Sequence, residues 1–195
     1  MQEGRMERNT LVALLSINAF MFFLELVLGL IAQSTGLLAD SLDMLADAFV
    51  YGLSLYAVGK AVTKKASAAR VSGYLQILLG VGVLLEVIRR LVFGSEPQST
   101  LIVVVGIVAL LANVACVALI SKHRAGGVHM RASWIFSVND VFANLGVILS
   151  GCLVAITGSR YPDLLIGMII AALVVRGGLQ IVREAREAEK PAQNL

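Results

Sequence analysis

The chain has 195 residues, of which 58% are hydrophobic and only 15% charged, with a net charge of +3. Soluble domains carry about 25% charged residues, so too little polar sequence remains here to cover a globular core. The composition therefore indicates an integral membrane protein. It gives no ground for nucleic-acid binding, because membrane orientation accounts for the small positive balance.

Six apolar segments reach the roughly 20 residues that a helix needs to cross a bilayer. In chain order they run from Thr10 to Ile31, Gly36 to Gly59, Val71 to Phe93, Thr100 to Ser121, Ser133 to Thr157 and Asp163 to Val182. The expected fold is thus all-α, a bundle of six transmembrane helices over residues 1–183, with residues 184–195 as a short tail. The N-terminal MQEGRMERN mixes Arg5 and Arg8 with Glu3 and Glu7, and no small-residue cleavage pattern follows the first apolar run. A secretory signal is therefore not expected. Cys116 and Cys152 both fall inside apolar runs, which argues against a disulfide framework.

Basic residues cluster on one side of the alternating spans. Arg5, Arg8, Lys60, Lys64, Lys65, Arg70, Lys122, Arg124, Arg131, Arg183, Arg186 and Lys190 share it, against Arg89, Arg90 and Arg160 near the other. The positive-inside rule then puts both termini in the cytoplasm of a multi-pass protein of the cell (inner) membrane. Short connections predict that sequential helices are neighbours. Gly80, Gly82, Gly106, Gly146, Gly151 and Gly167 are candidate points of close helix approach, and Trp134 and Tyr161 are candidate interfacial anchors.

The second span contains ADSLDMLADAF, from Ala39 to Phe49. On a helix, Asp40, Asp43 and Asp47 lie within roughly 60° of one another. Each costs about 2.5–3.5 kcal/mol near the bilayer centre on an insertion scale. The stripe is therefore expected to face a cavity, a partner helix or an ion rather than lipid. In the fifth span Asp140 and Asn144 are one turn apart, with Ser133 and Ser137 on the same broad face and Asn139 about 100° away.

If spans two and five pack together, Asp43, Asp47, Asp140 and Asn144 form a hard, oxygen-rich cluster suited to a divalent cation. The alternative is a structural polar core, with the acids hydrogen-bonded to one another or paired with a base. Arg176 is the one base deep enough in a span, with Arg89 and Arg90 nearer an end. Asp40 stands between two roles, an access-path ligand and a cap on the helix N-terminus. Glu25 and Asn18 in span one either line the same cavity or satisfy polar groups across the helices. Asn113 and Cys116 in span four are candidates to face the site. Glu86 has Arg89 and Arg90 at the spacings that favour ion pairs. His123 and His129 are the remaining candidate metal contacts, in the loop after span four.

No nucleotide-binding, metalloprotease or nucleophile-elbow motif is present, so an enzyme is not expected. Transport against a gradient must then draw on another ion. Metal binding needs deprotonated ligands and loss of the metal invites reprotonation, so intramembrane carboxylates give a direct route to proton-coupled exchange.

These features resemble the cation diffusion facilitator family. The resemblance rests on six spans, LLADSLDMLADAF in span two and RASWIFSVNDVFANLGVI in span five. It implies a proton-coupled exporter of zinc or another divalent metal, commonly dimeric, with the ion held between spans two and five. The family pattern falls on Asp43 and Asp47 in span two, and on Phe136 and Asp140 in span five. Phe136 stands where the family has histidine, leaving Ser137, Asn139, Asn144 or water to complete the ligand set. An all-oxygen set favours manganese, iron or magnesium over zinc. The family's C-terminal cytoplasmic domain is not expected after span six, so a homodimer would rest on the membrane helices.

The leading expectation is a proton-coupled antiporter exporting a divalent cation, with no tightly bound cofactor and with membrane lipids as its surroundings. The rival is a non-transporting sensor or assembly protein whose polar core only specifies packing. Transport of an organic cation is a third reading, disfavoured by an aromatic content of 6%.

Overall fold

The computed structural model describes residues 2–57, 62–121 and 128–189. Among them are six helices and no strand: α1 Gln2–Ile31, α2 Thr35–Ala57, α3 Val62–Phe93, α4 Ser99–Ser121, α5 Val128–Thr157 and α6 Tyr161–Glu189. Lys60, Lys122, His123, Arg124 and Lys190 lie outside the described residues, as do the side chains of Arg5, Lys64, Lys65, His129, Arg131, Ser133, Trp134 and Phe136.

The helices pack as three antiparallel pairs, α1 with α2, α3 with α6 and α4 with α5. Both ends of the described chain therefore lie at one end of the bundle, here termed the near end. The three short turns between helices make the far end. Helix α2 sits at the centre and touches each of the other five. Among the described residues, five helices are long and apolar enough to cross a membrane by composition. The exception is α2, whose three aspartates break its apolar run. Enclosure by its neighbours replaces lipid as the solvent for its polar face.

Interior apolar contacts join the helices around α2. Leu37, Ala39 and Leu42 pack with Val83 of α3, Ile102 and Val105 of α4, Val147 of α5, and Ile170 and Val174 of α6. The outward faces of α1, α3, α4 and α6 stay apolar and exposed, as lipid-facing surfaces do.

Glycines set the closest crossings. A Cβ on Gly178 would stand 2.8 Å from the Gly73 carbonyl oxygen, which brings α3 and α6 nearly backbone to backbone. Gly106 and Gly151 make room for side chains where α4 crosses α5, since added Cβ atoms would meet the side chains of Ile148 and Ile102 at 2.9 Å. Gly80 and Gly167 also lie at tight crossings, as expected. Gly82 does not: it faces open space and mediates no close approach.

At the far end, α1 stops in a Schellman arrangement. Ser34 N donates to Gly29 O (3.0 Å) and Gln33 N to Leu30 O (3.2 Å), with Gln33 in the left-handed region at φ 48°. The α3–α4 turn braces this corner. Gln98 N donates to Ala32 O (2.9 Å), and Glu96 N donates to the side-chain oxygen Oε1 of Gln33 (3.2 Å).

Candidate functional site

The start of α2 is built around a carboxylate from another helix. A helix N-terminus leaves its first N–H groups without intrahelical partners. Here Thr35 N (2.7 Å) and Gly36 N (3.1 Å) donate to the Asp163 carboxylate of α6. The hydroxyl of Thr35 (2.8 Å) adds a further donor and that of Ser34 another (2.5 Å). Leu37 N donates to Ser34 Oγ (3.1 Å), which makes Ser34 the N-cap. Asp163 is fully buried, and its negative charge sits where the helix dipole favours it. Asp40 is therefore not the cap of α2, because Ser34 and Asp163 already fill that role.

Asp40, Asp43 and Asp47 follow down one stripe of α2. Asp40 is buried to 1% exposure and Asp47 to 9%. Helix α5 brings Asp140, 8% exposed, against them. Its carboxyl adjoins those of both Asp43 and Asp47, so spans two and five meet at the predicted residues. Asn144, one turn along α5, is fully buried and donates its amide to Asp140 O (2.8 Å).

Tyr51, which sequence reasoning missed, completes this end of the site. Its hydroxyl donates to Asp47 Oδ2 (3.1 Å) and lies 3.1 Å from Ser137 Oγ on α5. The signal was available, since Tyr51 is four residues from Asp47 and so on the same helix face. Cys116 of α4 lies close enough to feel the Asp47 charge, and Asn18 of α1 donates to it (Nδ2 to Sγ 3.8 Å). The buried amide of Asn113, one turn along α4, has no partner for either its oxygen or its nitrogen.

Other candidates fall away. Asn139 is exposed and turned from the cluster, and Arg176 lies exposed on α6 rather than paired with the acids. Glu86 serves structure: it accepts from Arg89 (2.7 Å) and from the buried Arg90 (2.6 Å). The acids of α2 and α5 thus face one another with no basic side chain among their described contacts. Among the described residues, no three His, Cys, Asp or Glu side chains converge in a geometry ready to hold a metal ion. Asp43, Asp47 and Asp140 meet pairwise instead. A cavity of about 220 Å³ lies on the other side of α2, lined by Ala46, Phe49, Ser72, Gln76 and Ile181 among others.

Residues 11–188 match the cation efflux transmembrane domain. The chain belongs to the cation diffusion facilitator family. It is a multi-pass all-α membrane protein, and its family is one of transporters rather than of catalysts. It is similar to the cadmium, cobalt and zinc/H(+)-K(+) antiporters of Bacillus velezensis and Bacillus subtilis, at 25% identity over 120 and 122 residues. It is also similar to the zinc transporter ZitB of Yersinia pseudotuberculosis, at 22% over 119 residues. Each match covers 60% of this chain and 38% or 39% of the relative, so the chain spans about two-fifths of their length.

Proposed function

We propose that this protein exports a divalent metal cation from the cytoplasm in exchange for protons, across the cell membrane and with both termini on the cytoplasmic side. The observation that carries the reading is the meeting of Asp43 and Asp47 of α2 with Asp140 of α5 inside the bundle. Asp140 and Asp47, both buried, and the half-buried Asp43 adjoin with no base among them, and so need positive charge between them, supplied either by a metal ion or by protons. Alternation between those two states is antiport. The metal is the cargo, and Asp43, Asp47 and Asp140 are its proposed ligands, with Asn144 and Asp40 on their far-end side.

Candidate cargoes include zinc, cadmium and cobalt, by analogy with the relatives' names. Oxygen-only ligation adds manganese and iron(II) to that group. A homodimer through the membrane helices belongs to the same reading.

The rival role, a sensor or assembly protein with a structural polar core, is favoured by the lack of a three-donor metal geometry among the described residues. Flux into proteoliposomes under an imposed pH gradient decides between them. Transport predicts saturable uptake of one of these ions, proton counterflow, and loss of both in a D47N/D140N protein that still folds. Flux that persists in that variant, or no flux of any ion by the folded wild type, overturns the proposal.

A further inference from the structure

Three buried side chains on the far-end side of the Asp43–Asp47–Asp140 group are left without partners. Gly29 fixes the level at which α1 crosses α2, since a Cβ there would stand 3.0 Å from Leu37 Cβ and 3.2 Å from Leu38 N. One turn towards the near end, Glu25 of α1 faces Asp40 of α2, and the two carboxyl groups adjoin. Glu25 is 0% exposed. Neither of its carboxyl oxygens, nor Asp40 Oδ2, has a donor from any other group.

The third group comes from α5. Asn144 is fully buried, and its nitrogen is occupied by Asp140 O. Its oxygen, Oδ1, has no partner. The neighbouring Ala143 and Val147 pack in one cluster with Ala39 and Leu42. That contact puts Asn144 on the α2-facing side of α5, at the level of Asp40.

Four buried oxygens from three helices therefore have no donor at one level of the bundle beyond a proton that Glu25 and Asp40 can share. A helix-packing role does not account for them. Packing polar groups are satisfied by fixed donors, as Asp163 is by Ser34, Thr35 and Gly36, whereas Glu25 and Asp40 have only a shared proton between them, which a cation can replace, and Asn144 Oδ1 has no donor at all. Oxygen acceptors with no nitrogen or sulfur donor suit a hard cation.

We propose that Glu25, Asp40 and Asn144 form a second intramembrane cation site, beyond the first towards the far end, that takes a hard cation on oxygen ligands alone. It does not depend on the reading of Asp43, Asp47 and Asp140 as the transport site. Two sources share its chemistry, namely the divalent cargo passing through and a monovalent counter-ion.

The test is Mn²⁺ binding by the purified full-length chain in detergent, counted by electron paramagnetic resonance. A D43N/D47N/D140N chain retains Glu25, Asp40 and Asn144, and is expected to bind about one Mn²⁺. Adding E25Q to it is expected to abolish that binding. Retention of Mn²⁺ in excess K⁺ identifies the divalent source, and displacement by K⁺ identifies the monovalent one.

If the wild type binds Mn²⁺ and the D43N/D47N/D140N chain, folded by circular dichroism, binds none, the second site does not exist. The count in this chain decides the matter even where E25Q prevents folding. A wild type and a D43N/D47N/D140N chain that both bind one Mn²⁺, lost with E25Q, would instead remove the first site and leave the second standing.

Discussion

Asp163 and Asp47 are both buried carboxylates held against α2, and the protein treats them in opposite ways. Asp163 gathers two backbone N–H groups and two hydroxyls at the helix start. Asp47 receives the Tyr51 hydroxyl and otherwise adjoins another acid, Asp140. The first arrangement is complete without any ligand. The second is complete only when a cation or a proton joins it. The difference separates a carboxylate that fastens helices from one held ready for exchange, although residue type and burial are nearly the same.

The largest break in that comparison is D163A. It strands the N–H groups of Thr35 and Gly36 with two hydroxyls, and should cost at least about 3 kcal/mol. A thermal melt in detergent reads this as a large drop in midpoint. D47N should leave the same melt unchanged or raise it, because it relieves acid-to-acid contact while it abolishes flux. A D47N protein that melts as low as D163A would show that the two regions do not differ as described.

G167A comes next. The added Cβ would lie 2.7 Å from Thr35 atoms, pushing α6 off the α2 start that Asp163 fastens, for about 1–3 kcal/mol. If G167A melts like the wild type, the crossing is looser than described. Y51F sharpens the other side of the comparison. It removes one donor to Asp47, for about 1 kcal/mol of stability, and should alter flux several-fold without abolishing it. Flux identical to the wild type would take Tyr51 out of the site. The smallest effect belongs to G82A: with open space around Gly82, the helix-propensity gain should stabilise by at most about 1 kcal/mol. A clear loss of stability there would mean that Gly82 does sit at a helix contact.

At the far end the apolar runs and the helices turn together, with α1, α3 and α5 ending at Ile31, Phe93 and Thr157 and α6 starting at Tyr161, two residues ahead of the apolar run. At that end each helix stops where the apolar run stops, because the chain must turn at once. At the near end several helices run beyond their apolar segments. The helices begin at Gln2, Val62 and Val128 and continue to Glu189, since charged helical sequence extends past the membrane, as in the Arg183–Glu187 pair (3.2 Å).

The aspartate stripe was legible because intramembrane charge is costly wherever it occurs. Its meeting with Asp140 was expected from a family resemblance and from the need to satisfy buried acids, since periodicity gives a face and not a neighbour. Asp163 was passed over for the same reason. At the start of an apolar run it looks like an ordinary boundary residue, and nothing local shows that its donors belong to another helix. Glu25 was visible as an intramembrane acid, but its pairing with Asp40 depends on the level at which α1 crosses α2, and Gly29 sets that level only in three dimensions.

The Asp163 contact also bears on how the chain is made. The acceptor for Thr35 N lies 128 residues later in the sequence. At about 5–20 residues per second of synthesis, the start of α2 waits roughly 6–26 s for its partner to be made. During that interval the least apolar helix has neither its final cap nor its full ring of neighbours. The helix that ends at the centre of the bundle is thus one of the last to settle. Its insertion should depend on α1 shielding it early, and on whatever in the insertion machinery keeps a polar helix in place until α6 arrives.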